Sequence, residues 1–296
     1  MAQKTILITG CSDGGLGSAL AVAFSKAGWR VFATARNPSK LSQTTAAGIE
    51  ALQLDVKSDA SISACVSQVA ELTGGSLDAL LNNAGAGYCM PLMDVDLEKT
   101  RDVLELNIIS LISVTRAFLP LLLKSKSSSG SLVINNTSIS SVGGMPWHVV
   151  YNASKAAAAS VTTGMRLELA PFGVRVVDLK TGTVTSNFLD NLPPTKLPSD
   201  SVYAIARKEV ERVMAAESIR KQGVSADSWA EAVVKDVTRI KPKPWIWQGA
   251  NCFFVWFVST FVPVGGFDGI MKKMVGLDIV ERRVQALGGP SKLKQL

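Results

Sequence analysis

Short apolar runs alternate with longer amphipathic ones through the first two-thirds of the chain. The runs Thr5–Thr9, Arg30–Thr34, Ala51–Leu54, Leu77–Asn82, Ser131–Ser138 and Val174–Leu179 read as strands. Between them, Gly17–Ala27, Ser58–Leu72, Asp96–Leu123 and Val150–Pro171 carry helical spacing. Strands this rich in Val, Ile and Leu, separated by helices, belong to a parallel sheet covered on both faces. Right-handed crossovers then predict an α/β fold: a doubly wound, mostly parallel, Rossmann-like sheet in a single domain.

Beyond Ser199 the pattern changes. Two helical stretches, Ser201–Gln222 and Ser225–Ile240, precede "KPKPWIWQG", where "WIW" reads as a last strand. "ANCFFVWFVSTFVPVGGF" follows, and no charged residue lies between Pro244 and Phe267. That stretch has enough residues to span a bilayer, but Gly249, Asn251, Pro263, Gly265 and Gly266 interrupt it. Three readings stay open: a helix over the substrate pocket, a helix lying in a lipid interface, and a contact between copies of the chain. Trp245, Trp247 and Trp256, flanked by Lys241, Lys243, Lys272 and Lys273, suit the interfacial reading.

The 296 residues carry a formal net charge of +7, scattered apart from small clusters at Lys241/Lys243, Lys272/Lys273, Arg282/Arg283 and Lys292/Lys294. No basic-aromatic stripe tracks a nucleic acid, so none is expected as partner. Four separated cysteines (Cys11, Cys65, Cys89 and Cys252) and a single histidine, His148, make no metal-ligand pattern, so no metal is expected. The thiols read as reduced, in a cytosol-facing compartment. The opening "KTILITG" is strand-like, and no signal peptide is expected.

Ligands of doubly wound sheets bind at the carboxyl ends of the strands. Six strands here run into loops carrying Gly, Asn, Ser, Thr or Asp. In "ILITGCSDGGLGSALAVAFSKAGW" a strand enters a loop of glycines and then a helix. Gly10, Gly14, Gly15 and Gly17, with Ser12 and Leu16 between them, let backbone approach a pyrophosphate at a helix N-terminus. The second strand ends in "VFATARN". No Asp or Glu lies between Trp29 and Lys40, and Arg36 can instead pair with the 2′-phosphate of NADP. Asp13 places a like charge near that phosphate; it points away or pairs with Arg36. Asp55, with Val56 beside it, can accept from an adenine amine.

"VVYNASKAAAAS" puts Tyr151 and Lys155 one turn apart on one helix face. A phenol ionises near pH 10, and an adjacent ammonium favours its phenolate. Such a tyrosine can protonate a ketone oxygen, and Ser138, thirteen residues upstream, can hydrogen-bond the same oxygen.

"TGCSDGGLG", "NNAG" (Asn82–Gly85), Asn107 in "LELNIIS", Ser138 and "YNASK" together resemble the short-chain dehydrogenase/reductase family over roughly Lys4 to Phe188. The resemblance makes Tyr151 the general acid/base, Lys155 the nicotinamide-ribose ligand that depresses the tyrosine pKa, and Ser138 the residue that polarises the carbonyl. It gives Asn107 a water linking Lys155 to solvent, sets Asn83, Ala84 and Gly85 against the adenosine half, and brings Gly182, Val184 and Thr185 to the carboxamide and phosphates. Two features depart from the family. The glycine loop is one residue longer, so Gly15 and Gly17 match its last two glycines, and Thr181–Gly182 replaces the usual Pro-Gly. "VFATARN", the glycine-loop insertion, "KTGTVTSNF" and the apolar tail are similar to acyl-dihydroxyacetone-phosphate reductases, with 17β-hydroxysteroid and retinol dehydrogenases nearby.

The resemblance implies NADPH-dependent reduction of a ketone, or the reverse oxidation, on an apolar lipid-like or secondary-metabolite substrate. A catalytically silent dinucleotide-binding scaffold at a lipid surface is the alternative, and the intact Ser138/Tyr151/Lys155 set argues against it. Residues 1–248 are expected to form the catalytic domain, with the substrate loop and helices at about 186–240. Residues 249–296 are expected as an apolar extension, lid or surface anchor. The chain is further expected to be a cytoplasmic homo-oligomer, peripheral at the endoplasmic reticulum or lipid droplets. Trp147 and His148 precede Tyr151 at the expected site mouth and read as loop packing, and Cys11 reads as a small packed residue.

Overall fold

A computed structural model describes residues 3–188, 190, 196–215 and 222–295. Seven strands form one sheet in the order β3-β2-β1-β4-β5-β6-β9, every neighbouring pair parallel. They are β1 (Thr5–Ile8), β2 (Arg30–Ala35), β3 (Glu50–Gln53), β4 (Ala79–Asn82), β5 (Ser131–Asn136), β6 (Val174–Thr181) and β9 (Trp245–Gln248). A separate two-stranded ladder joins β7 (Val184–Thr185) to β8 (Val224–Ser225). The doubly wound reading is borne out, and the sheet proves wholly parallel. "WIW" is its seventh strand, paired with β6 so that Trp247 lies beside Lys180.

Helices cover both faces. On one side α1 (Leu16–Lys26) lies against α8 (Ala226–Val237), and Phe24 and Trp229 are buried between them and the sheet. On the other, α3 (Asp59–Thr73) and α5 (Ser110–Leu122) bury Ile62, Val69 and Phe118 against Leu7, Phe32 and Leu80. Local chemistry sets the helix ends. Ser58 accepts the Ser61 N–H at the start of α3, and left-handed Gly74 (φ 68°) ends it. Asp96 likewise caps α4 (Leu97–Leu104) through Glu98 and Lys99 N–H groups.

Two helical expectations change in detail. Asp96–Leu123 is not one regular helix: a π turn at Glu105–Ile109 separates α4 from α5. Ser201–Gln222 begins as a 3₁₀ turn, Val202–Ala206, before α7 (Arg207–Met214), and residues 216–221 lie outside the described residues. The reading also passed over α2 (Ser42–Ala46), five residues with a single buried side chain, Thr44, and therefore no apolar stripe.

The tail divides in two. Helix α9 (Cys252–Phe261) buries only Cys252 and leaves Phe253, Phe254, Trp256, Phe257 and Phe261 exposed. Helices α10 (Asp268–Val275) and α11 (Leu277–Ala286) instead dock on the body. Val275 joins Cys89, Trp147, Leu197, Val210 and Met214 in a small apolar cluster beside α6 (Val149–Leu169).

Candidate active site

The parallel sheet brings the loops after β1 to β6 to one edge. The first strand ends at Ile8, and Gly10 follows in the left-handed region at φ 71°. A Cβ on Gly10 would lie 2.9 Å from Ala84 Cα, and one on Gly17 would lie 2.4 Å from the Gly10 carbonyl oxygen. Only glycine permits this packing. Helix α1 opens with Gly15 as N-cap and Leu16 as its first residue, so its free N–H groups end in the glycine loop. Ser12 stabilises the turn by accepting the Gly15 N–H at 3.0 Å. The cradle fits a pyrophosphate.

The lengthened loop is held from two sides. Asp13 accepts from Ser42 Oγ at 2.5 Å and from the Gln43 N–H at 2.9 Å. These contacts hold its carboxyl below the usual carboxylate range. Of the two orientations left open by the sequence, Asp13 therefore takes the one directed away from Arg36, onto the start of α2. Gly14 donates to Gln43 Oε1 at 3.0 Å and accepts the Asn187 N–H at 3.0 Å. Arg36 follows β2, is exposed, and makes no ion pair among the described residues. Asp55 follows β3 and takes the Lys57 N–H at 3.0 Å, with Val56 buried beside it.

After β4 the Asn83 and Ala84 N–H groups both donate to Thr9 Oγ1 at 2.9 Å. Asn83 Nδ2 also donates to the carbonyls of Thr9 and Gly10. A Cβ on Gly85 would lie 3.0 Å from Asn107 Oδ1 and 3.5 Å from Lys155 Nζ. Asn107 sits in the π turn, where it takes the Ala86 N–H and donates to Ser154 Oγ, each at 2.9 Å. Gly182 follows β6 under the Ala250 carbonyl, and Val184 and Thr185 form β7, with Thr185 exposed.

Tyr151 and Lys155 share one face of α6, with Nζ 5.9 Å from the phenol centroid. Lys155 is 7% exposed and donates to the Asn136 carbonyl at 3.0 Å. Burial drives its ammonium down to about 8, opposed by the charge of Asp178. Burial also pushes the Tyr151 phenol up to about 12, opposed by the Ser138 hydroxyl. The sequence reading expected Lys155 to lower that value. In this structure the opposing group is Ser138, and the ammonium is turned to the Asn136 carbonyl. Ser138 itself is buried after β5 and accepts the Ser140 N–H at 3.1 Å. The structure thus brings Ser138, Tyr151, Lys155 and Asn107 together beside the glycine cradle.

Asn136 is the residue that the sequence reading passed over. Its carbonyl takes Lys155, its Nδ2 donates to Asn83 Oδ1 at 2.9 Å, and its Oδ1 accepts Thr181 Oγ1 at 2.5 Å. Its side chain therefore ties the loop after β4 to the end of β6, and its main-chain carbonyl holds the lysine. The available signal was a polar residue ending an apolar strand at the ligand-binding edge. Phe188 packs on Tyr151 with ring centroids 5.9 Å apart. His148 is packed against the Pro146 carbonyl, 3.2 Å away, and burial lowers its pKa, in keeping with loop packing. Cys11 is fully buried, its thiol pushed up to about 12.

The family model for short chain dehydrogenases matches residues 4–197. A short-chain dehydrogenase/reductase of Pestalotiopsis microspora is 46% identical, with 96% of this chain and 98% of that one aligned. The NADPH-dependent 1-acyldihydroxyacetone phosphate reductase of Schizosaccharomyces pombe is 37% identical over 70% of each chain. Among solved structures, a short-chain dehydrogenase from Streptomyces avermitilis superposes with a TM-score of 0.75 at 24% identity, covering 95% of this chain and 98% of that one.

Proposed function

The chain belongs to the short-chain dehydrogenase/reductase family, and on that basis we propose that it reduces a ketone on an apolar substrate with NADPH. The same groups serve the reverse alcohol oxidation. The carrying observation is the meeting of Ser138, Tyr151 and Lys155 at the strand ends, beside a cradle that only glycine can form. Glycine loop, helix N-terminus and exposed Arg36 suit pyrophosphate and 2′-phosphate in turn. NADPH supplies a hydride when bound.

Tyr151 donates its proton to the ketone oxygen. A phenol held near 12 keeps that proton at neutral pH, and an alkoxide is basic enough to take it. Ser138 donates a hydrogen bond to the same oxygen and fixes where charge develops. Lys155, anchored on Asn136, supplies positive charge beneath the phenol and binds the ribose. Asn107 ties Ala86 to Ser154 and so holds the loop after β4 against α6. A silent scaffold is not favoured, because it has no use for this set. An NADPH- and NADH-oxidation assay tests the reading against acyl-dihydroxyacetone phosphate, steroid, retinoid and polyketide-type ketones. Oxidation of NADPH with at least one apolar ketone supports it; no turnover with any of them sinks it.

The substrate class rests on the name of the Schizosaccharomyces relative, a reductase of an acyl-carrying ketone. We also propose that α9 lies on a lipid surface of the endoplasmic reticulum or of lipid droplets, with the catalytic body in the cytoplasm. Five aromatic side chains of this ten-residue helix are exposed, Phe253 at 75%. Exposed Lys241, Lys243 and Lys273 flank it. Ten residues reach about 15 Å, half of a hydrocarbon core of about 30 Å, which suits lying in the interface over crossing it. Phe254→Asp combined with Phe257→Asp is expected to move the protein from sedimenting vesicles to the supernatant with its reductase activity retained. A pellet that resists carbonate, or a wild-type protein that leaves vesicles unbound, overturns the proposal.

A further inference from the structure

Asp178 and Lys180 stand two apart on β6, so their side chains emerge on one face of the strand. Their side chains are 2% and 1% exposed, and Lys180 Nζ lies 2.8 Å from Asp178 Oδ2. Each partner makes a second bond, and both bonds reach the loop that carries Ser138. Thr137 Oγ1, one residue before Ser138, donates to Asp178 Oδ1. Lys180 Nζ donates at 2.9 Å to Oγ of Ser141, three residues after it. The Trp245 and Trp247 rings of the edge strand cover the ammonium, with centroids 4.7 and 5.7 Å away.

Burying two charges offsets most of the attraction between them, so a sealed ion pair is weak evidence of a stability device. Its geometry serves another end. A turn gripped at Thr137 and at Ser141 leaves Ser138 little freedom between them. We propose that the Asp178–Lys180 pair is a clamp that sets the position of the Ser138 hydroxyl, with both members acting as positioning residues. The edge tryptophans complete it by excluding water from Lys180. The assignment rests on the reductase reading of the Ser138–Tyr151–Lys155 site.

The test compares wild type with Lys180→Met, Lys180→Arg, Ser138→Ala, Ser138→Ala/Lys180→Met and Asp178→Asn/Lys180→Met. The last variant removes both charges and guards against a fold lost to an unpaired Asp178. NADPH Kd is read by fluorescence, Tm by calorimetry, and kcat and KM with whichever ketone wild type reduces. Lys180→Met is expected to lower kcat about ten- to a hundredfold with an unchanged NADPH Kd, the scale of a misplaced reacting group. Lys180→Arg recovers part of the loss. The doubly neutral variant regains Tm without regaining kcat. Ser138→Ala/Lys180→Met is no slower than Ser138→Ala alone, because the lysine acts through the serine.

A wild-type kcat in the folded Lys180→Met or doubly neutral variant overturns the clamp, as does a fully additive loss with Ser138→Ala. If wild type reduces no ketone, the reductase reading falls and crystal structures of wild type and the doubly neutral variant decide the clamp by themselves. A displaced Ser138 hydroxyl sustains it, and an unmoved one overturns it.

Discussion

Replacing Tyr151 by Phe is expected to lower kcat for ketone reduction by roughly 10²–10⁴ while NADPH binding and Tm stay in place. The substitution keeps the ring that packs on Phe188 and removes only the hydroxyl. Burial holds that hydroxyl in its protonated form, and among the groups around it Ser138 is the one that opposes the shift. Without it no positioned acid meets the developing alkoxide, and the proton must come from water. Stopped-flow NADPH oxidation separates this loss from slow product release. Turnover in Tyr151→Phe close to that of wild type would end the proposed mechanism.

Arg36→Ala is expected to raise KM for NADPH about ten- to a hundredfold and leave KM for NADH nearly unchanged, since a hydrogen bond to a charged group is worth about 1.5–3 kcal/mol. The guanidinium stands at the end of β2 with no ion pair among the described residues, and Asp13 is engaged by Ser42 and Gln43. Its charge is therefore available to a phosphate. Steady-state kinetics with both cofactors measures the ratio. A KM that rises equally for both would remove Arg36 from the selection of NADP.

Much of this architecture was legible because its central strands are buried. β1, β4 and β5 each carry an apolar centre, and the loops that follow them announce themselves by glycine and asparagine. Tyr151 and Lys155 were legible for a similar reason: one helical turn is a local relation. Features that depend on distant partners were not. Asn136 is the second of two asparagines in "INNTS", and its bonds run to Asn83, Lys155 and Thr181, which no spacing connects. The π turn at Asn107 lies where α4, α5 and α6 meet, and the sequence there is ordinary for a helix. Asp13 looked like an unfavourable charge beside a phosphate until the fold supplied α2 to receive it. Lys180 drew no reading of its own from the sequence, because only the pairing of β9 with β6 seals it under two tryptophans.

Trp147 is one of two residues other than glycine, among those described, with positive φ, at 70°. The left-handed conformation costs an ordinary side chain roughly 1–2 kcal/mol. Contacts drawn from far along the chain offset that strain: its indole N–H donates to the Val275 carbonyl at 3.1 Å, and its ring meets Tyr203 edge-on. The end of α10 therefore braces a backbone kink four residues ahead of Tyr151. Cutting the chain before Asp268, or prising α10 off the body, leaves that kink without its support. The indole would then swing free and the first turn of α6 would fray. Events at α10 reach the proton donor through one tryptophan.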